Sequence, residues 1–393
     1  FGRPNSTELK ILARVNEQSK NRPPKPPLAH RAAAVLHPAQ PETRCSRFYN
    51  PGLLLEKPTT RRATLTTLSS PRGNPLDLIQ PDMQRVDQVI SERLTTEVPL
   101  VREVAQYIIS AGGKRLRPVM TIAAAAVGND KPVSDDVIQG GISCELVHLG
   151  SLYHDDVMDE AATRRGVDTV NARWGNLQAI LAGDFLLAKA SEIAAALGTE
   201  VATLLAQTIG HLCEGQIEEL TKAFDVSRSV PSYLVSIEGK TASLFSTAAR
   251  IGALVAGHDR AVVEALTNYG TAYGMVFQIV DDILDVIATD AELGKRAGHD
   301  MEEGIYTLPV LLTLKSDSTD ALELRDLLGK SFTGNDRDVA LALVRSNTGI
   351  AHAIETANEY VAIAENECAK MPASMATNAL REAPRALLNS VIR

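Results

Sequence analysis

Residues 148–166 read HLGSLYHDDVMDEAATRRG, and residues 275–286 read MVFQIVDDILDV. Each holds the same acidic pattern: Asp155, Asp156 and Asp159 in the first stretch, and Asp281, Asp282 and Asp285 in the second. On a helix, positions i and i+4 lie one turn apart on the same face. Asp155 therefore projects with Asp159, and Asp281 with Asp285, with Asp156 and Asp282 beside them. Like charges at this spacing destabilise a helix. Both patterns are also embedded in apolar sequence, at 149–153 and 275–280, so an acidic cluster there needs a positive counter-charge. Oxygen-only ligands favour Mg²⁺, which typically combines a few carboxylates with substrate phosphates. A single copy of the pattern reads equally well as a solvated acidic face. Two copies favour a metal–diphosphate site.

Basic residues flank the acidic ones. Gly112-Gly113-Lys114-Arg115-Leu116-Arg117-Pro118 places three cations on a glycine-opened turn, where close backbone approach and cationic side chains suit a diphosphate. Arg164 and Arg165 follow the first acidic motif. Lys240 and Thr241 follow Gly239, and Gln278 lies one turn before Asp282. His148 stands two helical turns before Asp155, on the same face, where a phosphate contact is favoured over a purely structural role.

Outward from these motifs the chain reads as helix. Val86, Val89, Ile90 and Leu94 share one face, as do Val101, Val104, Ala105 and Ile108. Further helical stretches are predicted over 119–128, 135–160, 176–196, 199–223, 231–256, 260–288, 305–314, 320–328, 336–346 and 350–370. Alternating β-branched patterns are nearly absent, and no repeat of 20–50 residues appears. The expectation is one all-α domain over 76–393, a helical bundle.

The first 75 residues differ. They hold eleven of the nineteen prolines and show no sustained period, so they are expected to be a largely disordered Pro/Arg-rich leader. Its Arg-rich, acid-poor make-up fits an organelle-targeting segment or an unremarkable leader equally well. Residues 1–73 carry thirteen Lys or Arg and four acids, a net of +9, so the chain's net charge of -8 leaves -17 on the remainder. Such an acidic body argues against nucleic acid as the main partner. No run of eighteen apolar residues suggests a membrane-spanning helix. The four cysteines, Cys45, Cys144, Cys213 and Cys368, are widely spaced and read as reduced thiols of a cytosol-like compartment.

Taken together, the chain resembles the trans-type polyprenyl diphosphate synthases, most closely the bacterial long-chain members, over roughly residues 76–393. The resemblance rests on GGKRLRP at 112–118, the stretch 148–166, Gly183-Asp184, GKT at 239–241, the stretch 275–286 and GKRAGHDMEEGIYTLP at 294–309, in the family's order. It implies an isoprenoid-synthase-type antiparallel bundle around a central cavity, usually a homodimer. It implies that Asp155, Asp156 and Asp159 hold two Mg²⁺ ions and the 281–285 motif a third. It further implies that Arg164, Lys240, Thr241, Gln278 and Lys295 bind an allylic diphosphate, and that Lys114, Arg117, His148 and Arg165 bind the diphosphate of isopentenyl diphosphate. His299 and Ile305 depart from the pattern, since many relatives carry Lys at both places, which weakens any diphosphate contact from that loop.

The resemblance also implies a tunnel for the growing product. Gly150 and Ser151 precede the first motif by about one turn, where an aromatic blocks the tunnel in short-chain relatives. Small side chains there predict a medium-to-long product of about C30 to C50, suited to a quinone side chain. The competing reading of Gly150 is close helix packing. A greasy product also allows peripheral membrane contact. The alternatives are a geranylgeranyl diphosphate synthase, or a non-catalytic subunit of a heteromeric synthase. A terpene cyclase, which normally carries a different second metal motif, fits less well.

Overall fold

A computed structural model describes residues 79–110, 112–129, 131–289 and 296–392. All of them lie in one compact unit bounded by Leu65 and Arg393. The expectation for residues 1–75, and Lys295, lie outside the described residues.

The structure is built around α4 (Asp135–Met158). Its start is encoded locally: the Ser134 hydroxyl accepts from the Val137 N–H, and Asp135 and Asp136 sit in the first turn. Both features favour a helix N-terminus. From Val137 to Leu149 nearly every side chain is buried, so α4 is a central helix, apolar on all sides. It packs against α6 (Asn176–Ala196) and α3 (Leu116–Ala125). Ahead of these come α1 (Gln80–Arg93) and α2 (Pro99–Ser110), and between α4 and α6 the short α5 (Val170–Trp174). After Gly198 follows α7 (Thr199–Thr221), then α8 (Val230–Ile237).

The stretch predicted as one helix over 231–256 is continuous but not uniform. Residues Glu238–Ala242 form a π-helix between α8 and α9 (Ser243–Val255). Such bulges re-aim side chains and occur often at functional sites. The second long helix, α10 (Arg260–Ile287), lies against α9. The chain closes with α11 (His299–Glu302), α12 (Leu308–Leu314), α13 (Thr319–Leu327), α14 (Asp336–Ser346), α15 (Gly349–Cys368) and α16 (Met375–Asn389).

Two clusters share the core. One joins α1, α3, α4, α6, α9 and the first half of α10. The other joins the second half of α10 to α8, α12, α14 and α15. The helix ends match the sequence expectation within a few residues, and the all-α class holds. Four elements escaped it: the last helix α16, the short α5 and α11, and a two-stranded hairpin, β1 (Thr163–Arg164) with β2 (Val167–Asp168), paired antiparallel. Strands of two residues leave no alternation to read. The signal present was the turn, Arg165-Gly166, where both residues have positive φ (54° and 80°), the geometry of tight hairpins.

Candidate active site

Both acidic motifs sit at the C-terminal ends of their helices, 155–159 closing α4 and 281–285 closing α10. The helix dipole is negative there and disfavours carboxylates, so local propensity opposes both clusters. In the first, Arg164 Nε donates to Asp156 Oδ1 at 2.6 Å. Asp156 is fully buried, and its Oδ2 has no hydrogen-bond partner. Burial pushes the Asp155 carboxyl up to about 6; Lys240 opposes the rise and Asp159 adds to it. Burial raises Asp159 as well, again against Lys240. The carboxylates of this motif are thus short of positive charge.

Lys240 comes from the π-helix. Its Nζ donates to Glu219 on α7 at 2.5 Å. Burial alone would lower its pKa, but Glu219, Asp155 and Asp159 together hold it above the ordinary range. The crossing of α7 and the π-helix is tight: a Cβ at Gly215 would stand 2.4 Å from the Lys240 backbone nitrogen. Glycine at 215 is therefore what lets Lys240 approach. Glu219 was not anticipated from sequence, because nothing local marks one glutamate of Glu218-Glu219 as facing a lysine 21 residues later.

The second motif divides its labour. Asp281 is exposed and Asp285 is buried. Asp282 is 3% exposed, and both of its oxygens are engaged: Tyr233 donates to Oδ2 at 2.6 Å and Gln278 Nε2 to Oδ1 at 2.8 Å. Thr241 Oγ1 donates in turn to Gln278 Oε1 at 2.7 Å. Burial, and then the charge of Asp300, hold the Asp282 carboxyl well above the usual carboxylate range. Asp282 thus ties α10 to α8 and the π-helix. Arg228, a second unanticipated residue, donates to the Tyr306 carbonyl at 3.4 Å and to the Ser236 hydroxyl, with its guanidinium 5.7 Å from the Tyr233 ring.

A separate basic cluster forms about two turns earlier along α4, around His148. Gly112 has φ 85° and Arg115 φ 49°, so the loop 112–115 turns sharply before α3. Lys114 on this loop is exposed. Arg117 is buried, its guanidinium 4.5 Å from the Phe245 ring, and its Nε has no partner. Burial lowers its pKa, and Glu145 opposes the fall. The hairpin turn delivers Arg165 to the same loop, where it donates to the Gly112 carbonyl. Burial, then Arg117, Arg165, Arg164 and Arg115, hold His148 well below its ordinary pKa. It is a neutral imidazole at pH 7.

Gly150 lies where α4 meets α6. A Cβ there would lie 3.1 Å from the Gly183 carbonyl and 3.3 Å from Leu187, so its size serves the contact of α4 with α6. Ser151 is half-buried and donates to the His148 carbonyl at 2.9 Å. His299, off the family pattern, faces Glu303 one turn on at 3.2 Å.

Two regions of different chemistry thus follow one another along α4: carboxylates with Lys240, and a set of guanidiniums around a neutral histidine. Among the described residues no three His, Cys, Asp or Glu side chains converge tightly enough to hold a cation alone. Mg²⁺ typically combines one or two carboxylates with waters and substrate phosphate oxygens. A family model described as polyprenyl synthetase matches residues 98–345. The chain belongs to the polyprenyl synthetase family. It is a prenyltransferase by that membership. It is 38% identical over 296 residues to the nonaprenyl diphosphate synthase of Mycobacterium tuberculosis, covering 75% of this chain and 88% of that protein. The decaprenyl diphosphate synthase from Rhodobacter capsulatus superposes with a TM-score of 0.75 at 32% identity, covering 81% of this chain and 99% of that one. A polyprenyl synthase from Caulobacter crescentus, solved with calcium and isoprenyl diphosphate, superposes with a TM-score of 0.75 at 34% identity, covering 80% of this chain and 96% of that one. No helix among the described residues is long and apolar enough to cross a membrane.

Proposed function

We propose that this polyprenyl synthetase condenses isopentenyl diphosphate head-to-tail with an allylic diphosphate, repeatedly, to a long all-trans chain of about C30 to C50. A quinone side chain is the proposed use of such a product. The long-chain names of similar proteins support the length, and the two chemically distinct regions along α4 support two diphosphate sites.

The observation that carries the reading is the first acidic motif. A buried Asp156 oxygen without a partner and an Asp155 carboxyl pushed up to about 6 are what carboxylates show when built for a cation. Asp155, Asp156 and Asp159 would hold Mg²⁺ with the allylic diphosphate, and Asp281 with Asp282 would hold a further ion, to three in all. Asp285 belongs to that motif, and Asp282 positions it. Mg²⁺ bound there would neutralise charge on the departing diphosphate.

The remaining chemistry falls to the chain's own groups. Arg164, Lys240, Thr241 and Gln278, with Lys295, hold the allylic diphosphate. Its C1–O bond breaks with the electron pair leaving on oxygen, and preplaced positive groups stabilise that charge. Lys114, Arg117, neutral His148 and Arg165 hold isopentenyl diphosphate so that its double bond attacks C1. The proton lost from the adjacent carbon passes to the released diphosphate, so no protein nucleophile is required. Water must be kept out, because it would capture the allylic cation. Gly150 and Ser151 are the proposed chain-length positions.

A second copy of the chain is the proposed partner. Leu177, Ile180 and Leu181 form an exposed stripe on α6, and Ile217 and Leu220 stand exposed on the neighbouring α7. Patches of this kind mark interfaces. The function is tested by incubating the protein with Mg²⁺, labelled isopentenyl diphosphate and farnesyl or geranylgeranyl diphosphate. A ladder to C30 or beyond is expected. A stop at C20 would make it a geranylgeranyl diphosphate synthase. No elongation would point to a non-catalytic subunit.

A further inference from the structure

Among the described residues the basic cluster holds one buried acidic side chain, and the reading above gives it no task. Glu145 is 1% exposed on α4, one turn before His148. Its Oε1 accepts from Arg115 Nη1 at 3.3 Å, while its Oε2 is buried with no partner. Both Arg117 and Arg165 feel its charge. Arg115, for its part, is a strut. Its Nε faces Asp87 on α1 at 3.4 Å and its Nη2 donates to the Ile109 carbonyl on α2 at 3.2 Å, which fixes the turn before Arg117.

Three guanidiniums, the buried Arg115 and Arg117 and the exposed Arg165, repel one another where they converge, and the buried pair requires compensation. A carboxylate supplies it, but it also repels any anion that enters. Repeated elongation gives that repulsion a use. Each condensation leaves the new chain carrying the diphosphate that entered on isopentenyl diphosphate. The same molecule is the allylic substrate of the next round. The anion must therefore vacate the Arg117–Arg165 subsite every cycle.

We propose that Glu145 is a positioning residue of this subsite, a resident carboxylate that anchors Arg115 and weakens the hold on diphosphate so that the elongated chain leaves. The proposal rests on the elongation reading for its purpose, but on the cluster alone for its electrostatics.

The test is calorimetric titration of the full chain with inorganic pyrophosphate in EDTA. Glu145→Gln keeps the shape and removes the charge. It is expected to tighten pyrophosphate binding by about tenfold, and to shorten the product ladder because elongated chains dwell in the subsite. Loss of a merely structural group would weaken binding. Unchanged or weaker binding in a variant that melts like the wild type would overturn the proposal. If Glu145→Gln does not fold, the double variant Arg115→Gln/Glu145→Gln removes the buried pair without changing the local charge. Its pyrophosphate affinity is expected within about threefold of wild type. A larger loss would make Arg115 a ligand, and the proposal would fall. Arg117→Gln locates the probe: a signal that survives it removes the subsite and the proposal together. If the wild type makes no ladder but Glu145→Gln still tightens pyrophosphate, the elongation reading fails and the counter-charge stands.

Discussion

Arg164 reaches across eight residues to one oxygen of the buried Asp156 and leaves the other without a partner. That half-satisfied carboxylate, with Asp155 and Asp159 beside it, needs more positive charge than the protein supplies. Asp155→Ala is therefore expected to lower kcat by about three orders of magnitude or more, because the missing term stabilises the leaving group. The fold should survive, since the half-buried Asp155 is not part of the apolar core. Steady-state kinetics with matched thermal melts decide it, and wild-type turnover would sink the metal assignment.

The two aspartates at 281 and 282 should separate activity from stability. Asp281 is exposed, whereas Asp282 takes hydrogen bonds from Tyr233 and Gln278. Asp281→Ala is expected to lose turnover with little change in Tm. Asp282→Ala strands two buried donors, a cost of about 1–3 kcal/mol, and should lose both. Tyr233→Phe should give a milder version of the Asp282 effect. Equal melting of the two alanine variants would contradict the positioning role of Asp282.

Without Mg²⁺, Asp155 should make stability fall as pH rises. Its carboxyl stands at about 6 in the fold against the ordinary 3.8. Between those values the folded state binds more protons than the unfolded, so the contribution is lost through the window from about pH 4 to pH 6. His148, held low, acts in the opposite direction below its ordinary 6.5. Comparing wild type with Asp155→Asn cancels that opposing effect. The variant should gain stability relative to wild type at pH 8, by at most about 3 kcal/mol, and lose the advantage by pH 4. A pH-independent difference would show that Asp155 is not destabilised by burial.

Thiol reactivity should sort by burial. Cys213 is exposed, whereas Cys144 and Cys368 are buried and burial pushes each thiol up to about 12. Because the thiolate is the nucleophile, brief treatment of the native protein with iodoacetamide at pH 8 should, among the cysteines of the described residues, label Cys213 and spare Cys144 and Cys368. Peptide mass spectrometry reads the result. Labelling of Cys144 would mean that α4 opens.

Much of this was legible in the sequence, and the boundary is physical. The 3.6-residue period located α1 and α2, and long apolar stretches without proline located α4, α6, α7 and α10. Asp155 and Asp281 were legible because carboxylates in apolar sequence demand a cation. Which aspartate of a pair is exposed was not, since Asp282 is decided by Tyr233, 49 residues away. Glu145 and Glu219 were missed for the same reason: their partners are set by packing, and a lone glutamate on a helix looks like solvated surface. Gly150 was ambiguous because a missing side chain serves a tunnel and a helix contact equally well in one dimension.

The exposed stripe on α6 yields the last prediction. Leu177 and Leu181 are 64% and 56% exposed, with Ile217 on α7 at 61%. Solitary exposed leucines are ordinary, but i, i+4 neighbours aligned with a second helix form a face. A two-fold pairing would bury that face against itself. The protein is expected to run as a dimer in light scattering, and Leu177→Glu/Leu181→Glu to shift it toward monomer, because each interface would then bury two pairs of unpaired charges. The first acidic motif closes α4, which packs on α6, so the monomeric variant should also lose part of its turnover. A wild type that elutes as a monomer at micromolar concentration would remove the dimer. A double variant that stays dimeric would move the interface to another face.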